Sequence, residues 1–281
     1  MSKVKAFLSR KDIVFSRKRY LMDALSAMAL GLFSSLIIGL IFKTLGEQIM
    51  VFTGENFLTG FLIDIGTTAS GLMGSAIGVS VAWGLKAPPL VLFASVITGA
   101  MGAAGGGGPA GAFVAAAIGA EFGKAISKET RVDIIVTPAV SLATGMVGAM
   151  TIGPVVAALM RGLGAVVMRA TELQPFLMGI IVSVIMGLVL TAPISSAALA
   201  IMMELSGLAG GAATVGCSAQ MIGFAVISFK ENGIGGFFAQ GIGTSMLQVS
   251  NIIKNPWIVL PPTLASAVLG PVSTMLFKMT N

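Results

Sequence analysis

The chain has 281 residues, of which 56% are hydrophobic and 10% charged, and its mean hydropathy is +0.97. A soluble globular domain carries about 25% charged residues, so this composition excludes a water-soluble protein and predicts an integral membrane protein. The sequence contains no histidine and a single cysteine, Cys217. These counts exclude a histidine-based catalytic triad, a histidine-ligated zinc and a Cys-x-x-Cys redox pair, so we expect no catalytic site, no metal and no cofactor.

The formal net charge of +6 is concentrated in the first 19 residues, and the rest of the chain is balanced. The basic residues there are Lys3, Lys5, Arg10, Lys11, Arg17, Lys18 and Arg19. Basic residues that flank a first span hold that end in the cytoplasm, so we predict that residues 1–20 form a basic cytoplasmic segment that also attracts anionic membrane lipids. Lys124, Lys128 and Arg131 form a second basic cluster and predict another cytoplasmic loop. Nucleic acid is not an expected partner, because no basic soluble domain is available to bind it.

Long uncharged runs follow the basic segment, and a membrane-spanning helix needs roughly 20 apolar residues. Eight uncharged runs of at least 19 residues occur, at 24–42, 65–85, 87–120, 134–160, 173–203, 205–229, 232–253 and 255–277. We therefore predict an all-α polytopic membrane protein with about 8–10 membrane segments, in which residues 21–281 form a single transmembrane domain. A β-barrel would instead show short segments of alternating hydrophobicity.

Two of these runs, 87–120 and 173–203, exceed 30 residues and contain helix breakers, so we expect each to fold back on itself. A shift of 105 residues aligns Ala87-Pro88 with Ala192-Pro193, together with the glycines that follow each pair. This match indicates either an internal repeat or chance agreement in a chain with 37 glycines. Paired interrupted segments in the two halves of a chain are typical of transporter binding sites.

Three glycine-rich stretches predict broken helices: Gly102–Gly111, Ser206–Gly216 and Gly233–Gly236. Unwound backbone at membrane depth persists only where protein buries it or where it lines a wet cavity. The alternative interpretation is close helix packing, which we favour for isolated pairs such as Gly74 and Gly78. The broken stretches are candidate places for a bound solute.

Two acidic residues are candidates for solute binding, because a charge inside a membrane is costly and is a functional hypothesis by default. Glu204 separates two uncharged runs. In a functional role, it would accept hydrogen bonds from sugar hydroxyls or take a proton. The alternative is that it marks a hairpin tip at the membrane surface. Asp64 lies four residues into the apolar segment that begins near Gly60, where it would bind solute or contact lipid head groups.

Amide side chains are further candidates, because an amide both donates and accepts hydrogen bonds and so suits a neutral polyol. Gln220, Gln240, Gln248 and Asn251 lie in or at the ends of apolar segments. Gln240, Thr244 and Gln248 recur at helical spacing and would share one helix face. Such a polar stripe would either bind solute or join helices to one another. We include Gln220, Gln240, Thr244 and Gln248 with Glu204 and Asp64 as candidate substrate-binding residues.

Two stretches carry a recognisable pattern of proline, serine and glycine. The first contains Ala192-Pro193-Ile194-Ser195-Ser196 and Ser206-Gly207-Leu208-Ala209-Gly210-Gly211, and the second contains Gly241-Ile242-Gly243-Thr244-Ser245 and Asn251-Ile252-Ile253-Lys254-Asn255-Pro256. Both resemble the EIIC-like membrane family of the phosphotransferase system, which includes the toxin regulator PfoR, and the similarity runs across nearly the whole chain. The resemblance implies a homodimeric carrier that binds sugar near the bilayer midplane and hands it to a phosphorylating partner, supplied here by separate EIIA and EIIB proteins. Better-known sugar EIIC domains use a histidine and a Gly-Ile-Thr-Glu-Pro motif, whereas this chain has no histidine and no glutamate in the corresponding stretch.

The sequence therefore predicts an EIIC-type permease in the plasma (inner) membrane of a bacterium, crossing the membrane several times. It would move a small polar or sugar-like solute by alternating access. The alternative function is a ligand-sensing membrane regulator without net transport. A free-standing enzyme is not expected, because no nucleophile, base or metal cluster is assembled.

Overall fold

The computed structural model describes residues 3–171, 174–192 and 205–280, together with Ser196 and Ala200. Every regular element in these ranges is helical, and they contain no strand. The predicted all-α fold class is confirmed. The candidate residue Glu204 lies outside the described residues.

The chain divides into two compact units, Met1–Val156 and Ala157–Asn281. The predicted single transmembrane domain over residues 21–281 stays a prediction. Unit 1 contains the helices α1 (Lys3–Arg10), α2 (Arg19–Thr53), α3 (Phe57–Gly71), α4 (Met73–Gly84), α5 (Pro89–Gly102) and α6 (Gly108–Ile126). The long helix α7 (Asp133–Thr171) carries the boundary between the units.

Unit 2 contains α8 (Pro175–Thr191), α9 (Gly207–Ile227), α10 (Phe229–Phe238), α11 (Val249–Lys254) and α12 (Leu260–Pro271). Helices α8, α9 and α12 pack against one another. The core of this unit is formed by alanine, valine and methionine side chains, including Val182 and Met186 of α8 and Ala212 of α9, joined by Val167 from the end of α7.

Local sequence explains where several of these helices begin. Asn56 precedes α3 and forms a capping box, in which its side chain accepts from the Thr59 N–H at 3.1 Å and its own N–H donates to Thr59 Oγ1 at 3.0 Å. These bonds satisfy backbone N–H groups that have no partner within the helix. Helices α5 and α8 begin with Pro89 and Pro175, whose fixed φ suits the first helical turn and whose missing N–H is not needed there.

Four described helices are long and apolar enough to cross a membrane: Arg19–Thr53, Asp133–Val155, Gly207–Ile227 and Pro256–Phe277. Helices α3 and α4 make a fifth span if they are counted as one, bent by 51° at their break. Two further apolar helices, Pro89–Gly105 and Pro175–Thr191, are shorter. The predicted polytopic membrane protein is confirmed. Long spans are fewer in the described ranges than the 8–10 expected segments, because turns and glycines divide several uncharged runs into helices too short to cross alone.

Glycines bring the helices of each unit into close contact. A Cβ atom added at Gly78 of α4 would collide with the backbone of Ser95 and Gly99 on α5. In unit 2, a Cβ atom added at Gly216 of α9 would collide with the backbone of Ser183 on α8. Close backbone approach of this kind is how small residues join helices within a membrane. The packing interpretation of Gly74 and Gly78 is confirmed.

Two of the three glycine-rich stretches contain the expected breaks. The first stretch forms a π-helical turn, Ala103–Gly107, and then Gly108 takes a φ of +51° that only glycine adopts readily. In the third stretch, Gly233 interrupts α10 with a φ of +61°. The expectation for Ser206–Gly216 is wrong beyond its first residues, because α9 begins at Gly207 and continues without interruption. The segment around Ala192-Pro193 lies largely outside the described residues, so the internal repeat stays a prediction.

Candidate functional site

The candidate site is a segment of unit 2 in which helix is repeatedly interrupted. It consists of a π-helical turn (Ala239–Gly243), extended backbone at Thr244, a 3₁₀ turn (Ser245–Gln248) and the short helix α11. Its polar side chains are buried: Gln240, Thr244, Ser245 and Gln248, of which Gln248 is the most exposed at 6%. Interrupted backbone with buried polar groups is tolerated in a membrane only where protein encloses it or water reaches it. We call these residues, 239–254, the broken segment.

Hydrogen bonds link four side chains of unit 2 into a line that we call the amide chain: Ser228, Gln240, Gln248 and Asn251. The Gln240 amide donates to Ser228 Oγ at 2.9 Å, and Ser228 donates to the Phe224 carbonyl at 2.7 Å. Gln248 Nε2 donates to Gln240 Oε1 at 2.9 Å, and Asn251 Nδ2 donates to Gln248 Oε1 at 2.8 Å. The line begins at the half-buried Ser228, passes through the two buried glutamines and ends at the exposed Asn251.

The amide chain keeps hydrogen-bonding capacity at its outer end. An amide offers two N–H donors and one carbonyl acceptor. Gln240 uses both its donors and its acceptor, since its amide also donates to the Gly236 carbonyl at 3.3 Å. Gln248 donates only to Gln240, and Asn251 donates only to Gln248, among the described residues. One N–H donor of Gln248, one of Asn251 and the side-chain carbonyl of Asn251 therefore stay available for a ligand.

The structure brings Gln240 and Gln248 together, but not by the predicted helical spacing. Thr244 has φ −159° and ψ 144°, so the backbone between the two glutamines is not a continuous helix. The expected shared helix face is wrong for this reason. Thr244 Oγ1 instead accepts from the Met246 N–H at 3.1 Å and begins the 3₁₀ turn. The next residue, Ser245, lies 2.8 Å from Thr191 Oγ1 at the end of α8 and so ties the broken segment to that helix.

Gln220 is buried on α9 and forms a separate contact. Its Nε2 donates to Thr263 Oγ1 on α12 at 3.0 Å, and Thr263 donates to the Val259 carbonyl at 2.8 Å. Its Oε1 is buried and accepts no hydrogen bond from any residue that the structure describes. Among the described residues, no hydrogen bond joins Gln220 to the amide chain. The sequence left open whether the polar residues bind solute or join helices. The observed contact of Gln220 joins two helices.

Of the two acidic candidates, Asp64 is not part of the amide chain, because it is exposed on α3 in unit 1. Glu204 lies outside the described residues. The described part of the site therefore presents neutral amides and hydroxyls rather than charges. Neutral groups that both donate and accept suit the hydroxyls of an uncharged solute.

Unit 1 contains a buried ionic cluster that sequence reasoning missed, formed by Tyr20, Glu121 and Lys124 and joined to Arg19. The Lys124 ammonium is buried, lies 3.2 Å from Glu121 Oε2 and donates to the Leu85 carbonyl at 2.9 Å. Arg19 donates to the same carbonyl at 2.7 Å, and Tyr20 donates to Glu121 Oε1 at 3.1 Å. Leu85 follows the last turn of α4, where carbonyls lack helical partners and cations are favoured. The cluster therefore caps α4.

The same region docks the N-terminal segment onto the loop that follows α6. Arg19 forms an ion pair with Asp12 at 2.5 Å, and Lys11 donates to the Ser127 carbonyl. Arg10 donates to Glu129 Oε1 at 2.8 Å. The hydrogen bond from the Lys11 ammonium holds the pKa of the Glu129 carboxyl below its ordinary value. The two basic clusters of the sequence therefore meet within unit 1.

Sequence reasoning also missed the hydroxyl partners of the site, Thr191, Ser228 and Ser245. A single serine or threonine in an apolar run does not by itself indicate a binding site, because its hydroxyl can bond to a backbone carbonyl one helical turn earlier. Ser228 and Thr191 do form such bonds, to Phe224 and Gly187. Their second contacts depend on which helices meet.

Comparison with known proteins gives one family. A family model described as "Phosphotransferase system, EIIC" matches residues 22–281. No curated protein and no solved structure matches the chain.

Proposed function

Because this chain belongs to the EIIC family of the phosphotransferase system, we propose that it binds a small polar or sugar-like solute and translocates it by alternating access. EIIC domains are the membrane permease components of that system rather than its catalytic enzymes. The apolar helices agree with a multi-pass membrane protein. In this proposal the amide chain forms part of the solute site.

The observation that carries the proposal is the amide chain on the broken segment. Interrupted helices that protein buries or that line a wet cavity are typical of the places where membrane carriers bind polar solutes. The chain leads from the buried Gln240 to the exposed Asn251, and its outer members keep unused donors and acceptors. A solute hydroxyl would bond to these groups and replace the hydrogen bonds that it loses on leaving water.

The absence of charge in this line indicates the kind of solute. The sequence has no histidine, and the stretch Gly241–Ser245 contains no glutamate. A site built from amides and hydroxyls rejects an analogue that lacks the matching hydroxyl, because its own buried polar groups would stay unpaired. We propose a neutral polyol or sugar as the solute.

The test is uptake by the purified protein in liposomes, measured across a panel of labelled sugars and polyols. Replacing Gln248 with methionine nearly keeps the side-chain volume but removes the amide whose NH2 bonds to Gln240 and whose carbonyl accepts from Asn251. We expect uptake of the transported solute to fall at least about ten-fold, the effect of losing roughly one buried hydrogen bond.

The matched control is Gln174→Met, which makes the same substitution at an exposed glutamine of unit 2. The control should transport at the wild-type rate. If the protein binds a solute tightly but moves none, the result contradicts transport and favours the sensor function. Uptake that is equal in the Gln248 and Gln174 variants contradicts the amide chain as the solute site.

We propose that the N-terminus lies in the cytoplasm of a bacterial cell together with the loop after α6. The contacts of Arg10 and Lys11 with Ser127 and Glu129 support a common side for both. In a Cys217→Ser background, single cysteines at Ser9 or Thr130 should react with a membrane-impermeant maleimide only after lysis. Labelling of either cysteine in intact cells would contradict this orientation.

The family implies a sugar-like substrate and association with EIIA and EIIB phosphotransfer proteins. We propose that these are separate proteins and that the permease is a homodimer. Light scattering of the detergent-solubilised protein should then give twice the chain mass of 28.5 kDa. A monomeric mass across the accessible concentration range would contradict the dimer.

A further inference from the structure

A charged cleft lies in unit 1 between the N-terminal segment, the turn after α4 and the loop after α6. It has a volume of about 440 Å³. The charged residues that line it are Arg10, Lys11, Asp12, Lys86, Lys124, Lys128 and Glu129. Five cations face two carboxylates, so the cleft carries a positive excess that an anion would neutralise.

Three of the cations already have partners in the protein. Lys124 forms an ion pair with Glu121, while Arg10 and Lys11 form ion pairs with Glu129. Lys86 and Lys128 differ, because within the described residues neither ammonium group forms an ion pair or a hydrogen bond. Both side chains are exposed at the cleft. Two unpaired lysines therefore converge on one opening.

The backbone at these two lysines is unusual. Lys86 has a φ of +58° and Lys128 a φ of +61°, in the left-handed region that favours glycine. Lys86 occupies the position after a helix where glycine is most common: its N–H donates to the Trp83 carbonyl at 2.9 Å, and the Ala87 N–H donates to the Ala82 carbonyl at 2.9 Å. Because glycine fits this backbone with less strain, either lysine can be replaced by glycine without a backbone penalty.

We propose that this cleft binds a phosphate group, with the Lys86 and Lys128 ammonium groups as its principal ligands. Lysine is an effective phosphate ligand as a mobile point charge, and several lysines can share the oxygens of one phosphate. Lys11 and Lys124 add positive charge at the floor of the cleft. The proposal does not depend on the proposed transport function.

The source of the phosphate is an anionic phospholipid head group. The N-terminal segment that lines the cleft also lines an apolar cavity of about 540 Å³ through Leu8, Ile13 and Phe15. Phe113 and Ala117 of α6 form part of its other wall. In this proposal the lipid head group occupies the charged cleft and an acyl chain occupies the apolar cavity that the same segment lines. Basic pockets near the cytoplasmic ends of membrane helices are typical sites for anionic head groups.

The test is calorimetric titration of the purified full chain in neutral detergent. The titrants are short-chain phosphatidylglycerol, phosphatidylcholine of the same chain length, and inorganic phosphate. Phosphatidylglycerol should bind more tightly than phosphatidylcholine. Lys86→Gly and Lys128→Gly should each weaken phosphatidylglycerol binding about five-fold, the effect of one basic residue at an anionic surface. Their double variant should weaken it about 30-fold, the product expected for independent lysines.

Glycine is chosen because it relieves the positive φ at both positions, so the melting temperature should not fall. The matched control is Lys278→Gly, which removes an exposed lysine that also has a positive φ, +46°, in unit 2. This control should bind phosphatidylglycerol as the wild type does, and the Lys86→Arg variant should retain binding.

The outcomes separate the two sources of phosphate. Inorganic phosphate that binds and displaces the lipid with the same dependence on Lys86 and Lys128 would support the phosphate site and overturn the lipid source. Equal binding by the wild type and the double glycine variant would overturn the site itself. The same conclusion would follow if Lys278→Gly weakened binding as much as Lys86→Gly, since the effect would then reflect net charge alone.

Discussion

Replacing Lys124 with methionine is expected to lower the free energy of unfolding by about 3–5 kcal/mol, the usual effect of removing one partner of a buried ion pair. The substitution leaves Glu121 buried and charged beside Tyr20. It also removes a donor from the Leu85 carbonyl at the end of α4 and from the Asp12 carbonyl of the N-terminal segment. Thermal denaturation in detergent should show a melting temperature lower by about 10 °C.

A second substitution separates the effect of leaving Glu121 unpaired from the effect of changed packing at Lys124. Glu121→Gln in the Lys124→Met background removes the unpaired charge, so it should restore part of the lost stability. Lys128→Met is the matched control, because Lys128 is exposed and has no ion pair within the described residues. Its effect should stay within about 0.5 kcal/mol. Equal melting temperatures for the Lys124 and Lys128 variants would contradict the buried cluster.

Replacing Gly78 with leucine is expected to destabilise the protein by about 3 kcal/mol, because the added side chain must separate two helices. A Cβ atom at this position already collides with the Ser95 and Gly99 backbone of α5, and backbone cannot move aside as a flexible side chain can. The separation would also break the close approach of Gly74 and Gly99. The measurement is the melting temperature of the purified protein in detergent.

Gly60→Leu is the matched control for this prediction. Gly60 is also helical, in α3, but nothing lies within 4 Å of a Cβ atom added there. Leucine at this position should be neutral or slightly stabilising, since it favours helix by about 1 kcal/mol over glycine. A Gly78 variant as stable as the Gly60 variant would show that α4 and α5 do not depend on this contact.

Several features of the fold could be predicted because they depend on local chemistry. The low charge identified lipid as the solvent for most of the chain, and the glycine run before Pro109 predicted a broken helix that Gly108 provides. The amides Gln240 and Gln248 were also identified as polar residues in an apolar run. Each of these signals is present within a few consecutive residues.

Predictions that needed a distant partner were less successful. The spacing of Gln240, Thr244 and Gln248 suggested one helix face, but the extended backbone at Thr244 interrupts the helix. Gln220 was grouped with the other amides, although its observed hydrogen-bonding partner is Thr263, 43 residues away in sequence. Lys124 was assigned to a cytoplasmic loop, and Glu121 was not considered. The fold instead buries the two charges together.

The sequence by itself determined that this protein is helical, membrane-embedded and basic at its N-terminus. The physical reason is that composition and the lengths of the uncharged runs decide which segments are more stable in lipid than in water. The tertiary structure alone decided which polar groups pair: Gln240 with Gln248, Ser245 with Thr191, and Lys124 with the Leu85 carbonyl. It also decided that Lys86 and Lys128 face one cleft. The physical reason is that a hydrogen bond or ion pair depends on a separation of about 3 Å in space, which neighbouring residues along the chain do not determine.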